Sequence, residues 1–160
     1  MPRARNPWLI TGGVLSLLAA ALHLTVIGIG PDGYRFFGAG EQMARMAEAG
    51  HWYPAVVTTG IAMILAVWAA YAFSGAGALP RLPFLRTGLV LISLIYLARG
   101  LVLIPAMVLN PEGPAGITPF IWWSSLIVLG YGVAYALGTW IAWPRLSPGE
   151  ISRARPFLRG

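Results

Sequence analysis

Four long apolar runs, at 7–29, 54–73, 84–109 and 119–143, are separated by short segments that hold most of the polar residues. A hydrocarbon core about 30 Å thick takes roughly 20 helical residues to cross, and each run reaches that length. Unpaired backbone groups are not tolerated in lipid, so each run is predicted to be a helix. The starts agree. Asn6-Pro7 and Thr118-Pro119 put a capping side chain before a proline at the first helical position, whereas Tyr53-Pro54 has the proline with a poor cap. Trp8, Trp52, Tyr53, Trp122, Trp123 and Trp143 fall near the predicted interfaces, the depth that such rings prefer. The pattern predicts an all-α fold, a four-helix transmembrane bundle forming one integral membrane domain over 1–160, with a basic tail at 144–160.

The first connection, 30–52, is too long for a plain turn. Pro31-Asp32-Gly33 reads as a tight turn. Glu41 to Ala49 reads as a short amphipathic helix stopped by Gly50, with Met43, Met46 and Ala47 on its apolar side. Glu41 and Arg45 stand i,i+4 in the favourable order. The competing reading of the first run is a cleaved signal peptide, with Arg3 and Arg5 ahead of it and Ala19-Ala20-Ala21 as a cleavage site. A signal core is about 7–15 residues, and this run continues to Ile29, so an uncleaved helix is expected.

Composition supports the membrane reading. Of 160 residues, 58% are apolar and 10% charged, too few charges to cover a water-facing surface. The absence of cysteine excludes disulfides, thiolate metal sites and thiol chemistry. A net charge of +6 rests on eleven arginines with no lysine, a bias that suits a bacterium with a GC-rich genome. Arg3, Arg5, Arg81, Arg86, Arg145, Arg153, Arg155 and Arg159 lie on one face, and only Arg35 and Arg45 on the other. Positive residues favour the cytoplasmic side, which places the N- and C-termini in the cytoplasm and the protein in the bacterial inner membrane. That distribution accounts for the basic character without nucleic acid, and no basic stripe interleaved with aromatics appears. Membrane lipid is the expected partner. The tail could rest on anionic lipid through Ile151, Phe157 and Leu158, or be simply solvated.

Within the spans, Arg99 is the most informative residue. It stands in the third run with no acid in any of the four, and a charge at such depth costs ~2.5–3.5 kcal/mol on insertion scales. It is expected to face the bundle interior. Glu41 or Glu48 reaching down, backbone carbonyls freed by Pro105, or an anionic ligand could serve it. His23 lies in the same outer half, as a ligand contact, a proton-transfer group or a simple interhelical hydrogen bond, and His51 reads as interfacial. Ser93, Tyr96 and Gly100 form one stripe beside Arg99, and Ser124, Tyr131, Tyr135 and Thr139 another on the fourth run. Facing each other, they would line a polar seam. The alternative is ordinary packing around the small series Gly130, Ala134 and Gly138. The ligand-binding candidates are therefore His23, Arg99, Tyr96, Glu41, Tyr131 and Tyr135. No metal is predicted, because no His/Asp/Glu group has ligand spacing. Haem is not expected either, because His51 sits too near the surface to pair with His23. No cofactor motif, phosphate loop or nucleophile with its base is present.

Three segments, Gly38-Ala39-Gly40-Glu41, Tyr96-Leu97-Ala98-Arg99-Gly100 and Trp123-Ser124-Ser125, resemble patterns in small uncharacterised four-span bacterial membrane proteins. In size and span count the chain is also similar to DoxX-type membrane proteins. Neither resemblance implies an activity or assigns a residue. The leading expectation is a lipid-like or small anionic ligand bound in an outer-facing pocket between the helices. A structural or accessory subunit of an envelope complex, with a membrane-protein partner or a homo-oligomer, is the first alternative. A small membrane enzyme using His23 or Glu41 on a lipophilic substrate is the second.

Overall fold

A chain this apolar satisfies its backbone almost entirely within helices. The computed structural model describes residues 5–109 and 119–146. Among the described residues seven helices run in order: α1 Pro7–Ile29, α2 Pro31–Phe36, α3 Glu41–Glu48, α4 Tyr53–Gly75, α5 Leu85–Leu101, α6 Leu103–Leu109 and α7 Pro119–Leu146. Among these residues four stretches are long and apolar enough to cross a membrane, namely α1, α4, α5 with α6, and α7. The protein is thus an all-α membrane protein. One end of the bundle carries the start of α1 and the end of α7, here the termini face. The other carries α2 and α3, here the cap face.

The spans form a ring of two close antiparallel pairs, α1 with α4 and α5 with α7, closed by contacts of α1 with α7 and α4 with α5. Glycine sets the spacing. A Cβ on Gly100 would lie 2.6 Å from the Cα of Leu129, and one on Gly132 would lie 2.8 Å from the backbone nitrogen of Leu97. Only a residue without a side chain lets α5 and α7 approach so closely, and lipid-embedded helices gain much of their attraction from such contact. Leu9, Leu89 and Tyr135 are fully buried where the four helices meet.

Caps decide the ends. The Oδ1 of Asn6 accepts from the N–H groups of Trp8 and Leu9 at 3.1 and 3.3 Å, and its Nδ2 donates to the Gly138 carbonyl at 2.8 Å. One buried amide therefore starts α1 and ties it to α7. Thr118, the other predicted cap, lies outside the described residues. The helix of the third span breaks at Val102. Pro105 has no N–H for the carbonyl of Leu101, so α5 stops there and α6 begins anew.

The first connection holds a correction. Pro31-Asp32-Gly33 is the first turn of α2 and not an isolated turn. Gly30, at φ 82°, reverses the chain, and Pro31 and Asp32 then occupy positions that favour a helix start. The amphipathic helix is present as α3, and Met43 and Ala47 pack with Val26, Tyr34 and Ala44 under the cap.

Candidate functional site

The structure distributes the residues singled out in the sequence over separate places. Tyr96, Tyr131 and Tyr135 meet at the bundle centre, Arg99 stands on the α5–α7 seam, Glu41 belongs to the cap, and His23 stands apart on α1.

At the centre, Ser16 of α1 lies 2.9 Å from the hydroxyl of Tyr96 and 2.9 Å from that of Tyr135. Tyr135 donates to the Trp68 carbonyl of α4 at 3.1 Å. Each hydroxyl has a single proton, so the carbonyl fixes the direction of the whole chain. Tyr135 gives its proton to Trp68, Ser16 donates to Tyr135, and Tyr96 donates to Ser16. The rings pack with this order. Tyr96 meets Trp68 edge-on at 4.9 Å, Tyr131 at 5.5 Å and Tyr135 at 5.4 Å. All four spans are joined at this point. The chain ends on a carbonyl, which cannot pass a proton onward, so it links helices and is not a proton path.

Ser16 and Trp68 were not among the sequence candidates. Ser16 had a usable signal, because Gly12, Ser16 and Ala20 are small residues at i,i+4,i+8 and all three are buried. A carbonyl partner such as that of Trp68 leaves no trace in residue type. The remainder of the expected polar seam turns back on its own backbone. Ser93 donates to the Leu89 carbonyl at 2.7 Å and Ser124 to that of Ile121 at 3.3 Å. The buried Thr139 hydroxyl has no hydrogen-bond partner among the described residues.

Arg99 does not face the interior. It is exposed on the flank of the bundle, and its guanidinium donates to the Ser125 hydroxyl of α7 at 3.3 Å. No carboxylate pairs with it among the described residues. Gly100 and Leu129 occupy one level of the α5–α7 contact, so Ser125 is about one turn nearer the cap face. At 28 residues α7 is ~42 Å long, and with its middle at the middle of a ~30 Å core its first ~6 Å lie outside the hydrocarbon. Ser125, ~9 Å along, then sits just within the boundary. The physical reason for the exposure is this reach. A long side chain on the flank brings its charge toward headgroup depth, whereas an inward one would be sealed among Leu and Tyr rings.

Glu41 and Glu48 do not serve Arg99. Both bind Arg35, with Arg35 Nε to Glu41 at 3.0 Å and Nη2 to Glu48 at 2.6 Å, and Asp32 adds a 3.4 Å contact. Arg45 joins Glu41 at 3.2 Å. Hydrogen bonds from Arg35 and then Arg45 lower the Glu41 carboxyl to about 2, and those to Glu41 and Glu48 raise Arg35 further. The network joins α2 to α3 and so shapes the cap. Beside it lies a cleft of about 490 Å³ lined by Glu41, Gln42, Arg45, Met46, Ala49 and His51. His51 accepts from the Tyr53 N–H at 3.2 Å and stacks on Trp52 at 5.6 Å. His23 is half-buried, and its Nδ1 bonds the Ala19 carbonyl of its own helix at 2.7 Å.

Chemically, the arrangement offers an arginine at the lipid-facing seam and a polar cleft on the cap. Among the described residues no three His, Asp or Glu side chains gather as metal ligands. His23 and Glu41 share neither a hydrogen bond nor a cleft. Compared with known proteins, the chain matches no protein-family model, no curated protein and no solved structure.

Proposed function

We propose that this is a multi-pass bacterial inner-membrane protein that binds an anionic amphiphile, by its phosphate or carboxylate, at Arg99 on the α5–α7 seam. One observation carries the reading: on the flank of an apolar span a guanidinium has a neutral serine as its hydrogen-bond partner and no carboxylate among the described residues. An arginine has five donors in a planar fork, and one contact to Ser125 leaves most of that fork for an anion. Ser125 is itself fully buried, which fixes the side on which the arginine lies. A ligand reaches this seam sideways, from the bilayer, so the outer-facing pocket expected from sequence becomes a lateral site.

The test is native mass spectrometry of gently extracted protein beside Arg99→Leu. An anionic adduct on the parent that is lost from a folded Arg99→Leu variant supports the reading. A parent without an adduct, or an adduct retained by the variant, refutes it.

A second reading, an accessory subunit, is favoured by the outward face of α7. Trp123, Leu126, Val133, Leu137 and Trp140 are all exposed there at alternating helical spacings, around the bare backbone of Gly130. Photocrosslinking from position 133 in native membranes tests it, since lipid adducts alone would leave that face to the bilayer.

A further inference from the structure

The cleft on the cap is built by the helix beside it. Met43, Ala44 and Ala47 turn one face of α3 inward. Gln42, Arg45, Met46 and Ala49, at i, i+3, i+4 and i+7, form a second face, and this face lines the cleft of about 490 Å³. That volume lies within the range of small-molecule sites. The end of α3 supplies the remaining wall. The His51 N–H donates to the Met46 carbonyl at 2.9 Å and the Gly50 N–H to the Ala47 carbonyl at 3.0 Å. These are the paired bonds of a Schellman turn, and Gly50 has the positive φ, 69°, that such a turn requires. His51 is thereby brought to the same cleft as Met46, and its ring stacks on Trp52 at 5.6 Å.

The polar groups of the cleft are mostly donors. Arg45 gives only its Nε to Glu41, at 3.2 Å, and keeps the four N–H groups of Nη1 and Nη2. Two bonds from Arg35 hold Glu41 in place, so an anchored carboxylate orients Arg45. The Nδ1 of His51 accepts from the Tyr53 N–H at 3.2 Å, so the neutral ring carries its proton on Nε2. Neither that N–H nor the Gln42 amide has a partner among the described residues. Glu41 limits what can enter. Its carboxyl, held down to about 2 by hydrogen bonds from Arg35 and then Arg45, stays ionised in the same cleft. It repels a doubly charged anion more than a singly charged one. Met46 and Ala49 are the apolar part of the lining, enough for a few carbons and too little for a long acyl chain.

We infer that the cap cleft binds a short-chain monocarboxylate, its head on Arg45 and His51 and its apolar body on Met46 and Ala49. The paired N–H edge of Nη1 and Nη2 matches the two oxygens of a carboxylate. The His51 Nε2–H and the Gln42 amide add donors from the other wall and the same helix face. The site does not depend on Arg99, which stands on the α5–α7 seam with Ser125.

The full chain in uncharged detergent is titrated with valerate, and binding is read from the broadening of the acid's proton NMR signals. Valeramide, of the same shape without the charge, is the control. Valerate is expected to bind the parent and Arg99→Leu alike, and valeramide to bind neither. Arg45→Gln should weaken valerate about tenfold, the worth of one hydrogen bond between charged groups, and Arg45→Lys by less. Arg45 is exposed and Arg35 still holds Glu41, so the cap persists in those variants. Ala49→Phe, at an exposed position, fills the cleft without altering a charge and should abolish binding. Equal binding of valerate and valeramide, or variants at 45 and 49 indistinguishable from the parent, overturns the inference. Loss of valerate in Arg99→Leu with retention in Arg45→Gln also overturns it, by assigning the acid to the seam. Displacement of valerate by palmitate in the micelle, or by inorganic phosphate, overturns the ligand class.

Discussion

The direction of the central hydroxyl chain makes unequal demands on its two tyrosines, and that inequality can be measured. Tyr96→Phe removes one bond, the proton donated to Ser16. Ser16 still donates to Tyr135, and no donor is left without an acceptor. Tyr135→Phe removes two bonds, the acceptor of Ser16 and the donor to the Trp68 carbonyl. That carbonyl stays within the helical ladder of α4, so it is not orphaned. Hydrogen bonds between membrane helices average ~0.6 kcal/mol, with a maximum near ~1.7. Tyr96→Phe should therefore cost about 0.6 kcal/mol and Tyr135→Phe about twice that, bounded above by ~3.4. Both rings remain, so packing changes little and the difference reports the hydroxyls. Reversible unfolding in mixed micelles with increasing dodecyl sulfate, followed by helical circular dichroism, gives the two values on one scale. A loss for Tyr96→Phe equal to or larger than that for Tyr135→Phe would refute the direction assigned to the chain.

Three further outcomes can be checked. Gly100→Ala puts a Cβ 2.6 Å from the Leu129 backbone and should destabilise by ~1–3 kcal/mol, whereas Gly130→Ala meets nothing within 4 Å and should gain up to ~1 kcal/mol from helix propensity. The same micelle titration separates them, and equal effects would mean that α5 and α7 do not touch there. Arg99→Leu removes a cation from the edge of the hydrocarbon and should raise stability while it abolishes anion retention, whereas a less stable variant would make Arg99 structural. The third concerns the cap. Glu41 titrates near 2 when folded against 4.5 ordinarily, so its contribution is complete above about 4.5 and is lost as pH falls through about 2. Hydrogen exchange should show α2 and α3 losing protection over that window, and a cap unaffected at pH 2 would remove the ion network from its support.

Much of the fold was legible because lipid permits few answers. Asn6-Pro7 fixed the start of α1, whereas the third run, expected as one helix over 84–109, is broken at Val102, because Pro105 has no N–H for the Leu101 carbonyl. The ends of α4 and α7 were less legible. The helices run on to Gly75 and Leu146, two and three residues past the ends expected at 73 and 143, and these turns are held by contacts from the α4–α5 connection, including Ser74 with Pro80 and Arg81 with the α7 carbonyls. Pro31-Asp32-Gly33 was misread because proline, aspartate and glycine serve both a turn and a first helical turn. The choice fell to Gly30, whose positive φ lets the chain double back before Pro31. Local sequence does not report such a reversal.

The candidate residues show the same division in sharper form. Composition identifies Arg99 as costly because cost depends on depth, and depth follows from counting residues. Which flank it occupies depends on how α5 is rotated against α7, and that rotation is set by Gly100 and Gly132 meeting Leu129 and Leu97. With Gly100 turned toward α7, Arg99, one residue before it, lies about 100° around the helix from the contact. It therefore falls at the rim of the seam and not inside it, where Ser125 can touch it and lipid can too. Tyr96, four residues before Gly100 and so ~40° away from it around the helix, is carried inward to Ser16 and Tyr135 by the same rotation. A close packing contact thus gathers Tyr96 and Tyr135 at the centre and leaves Arg99 at the rim, a separation that follows from the glycines more than from either polar residue.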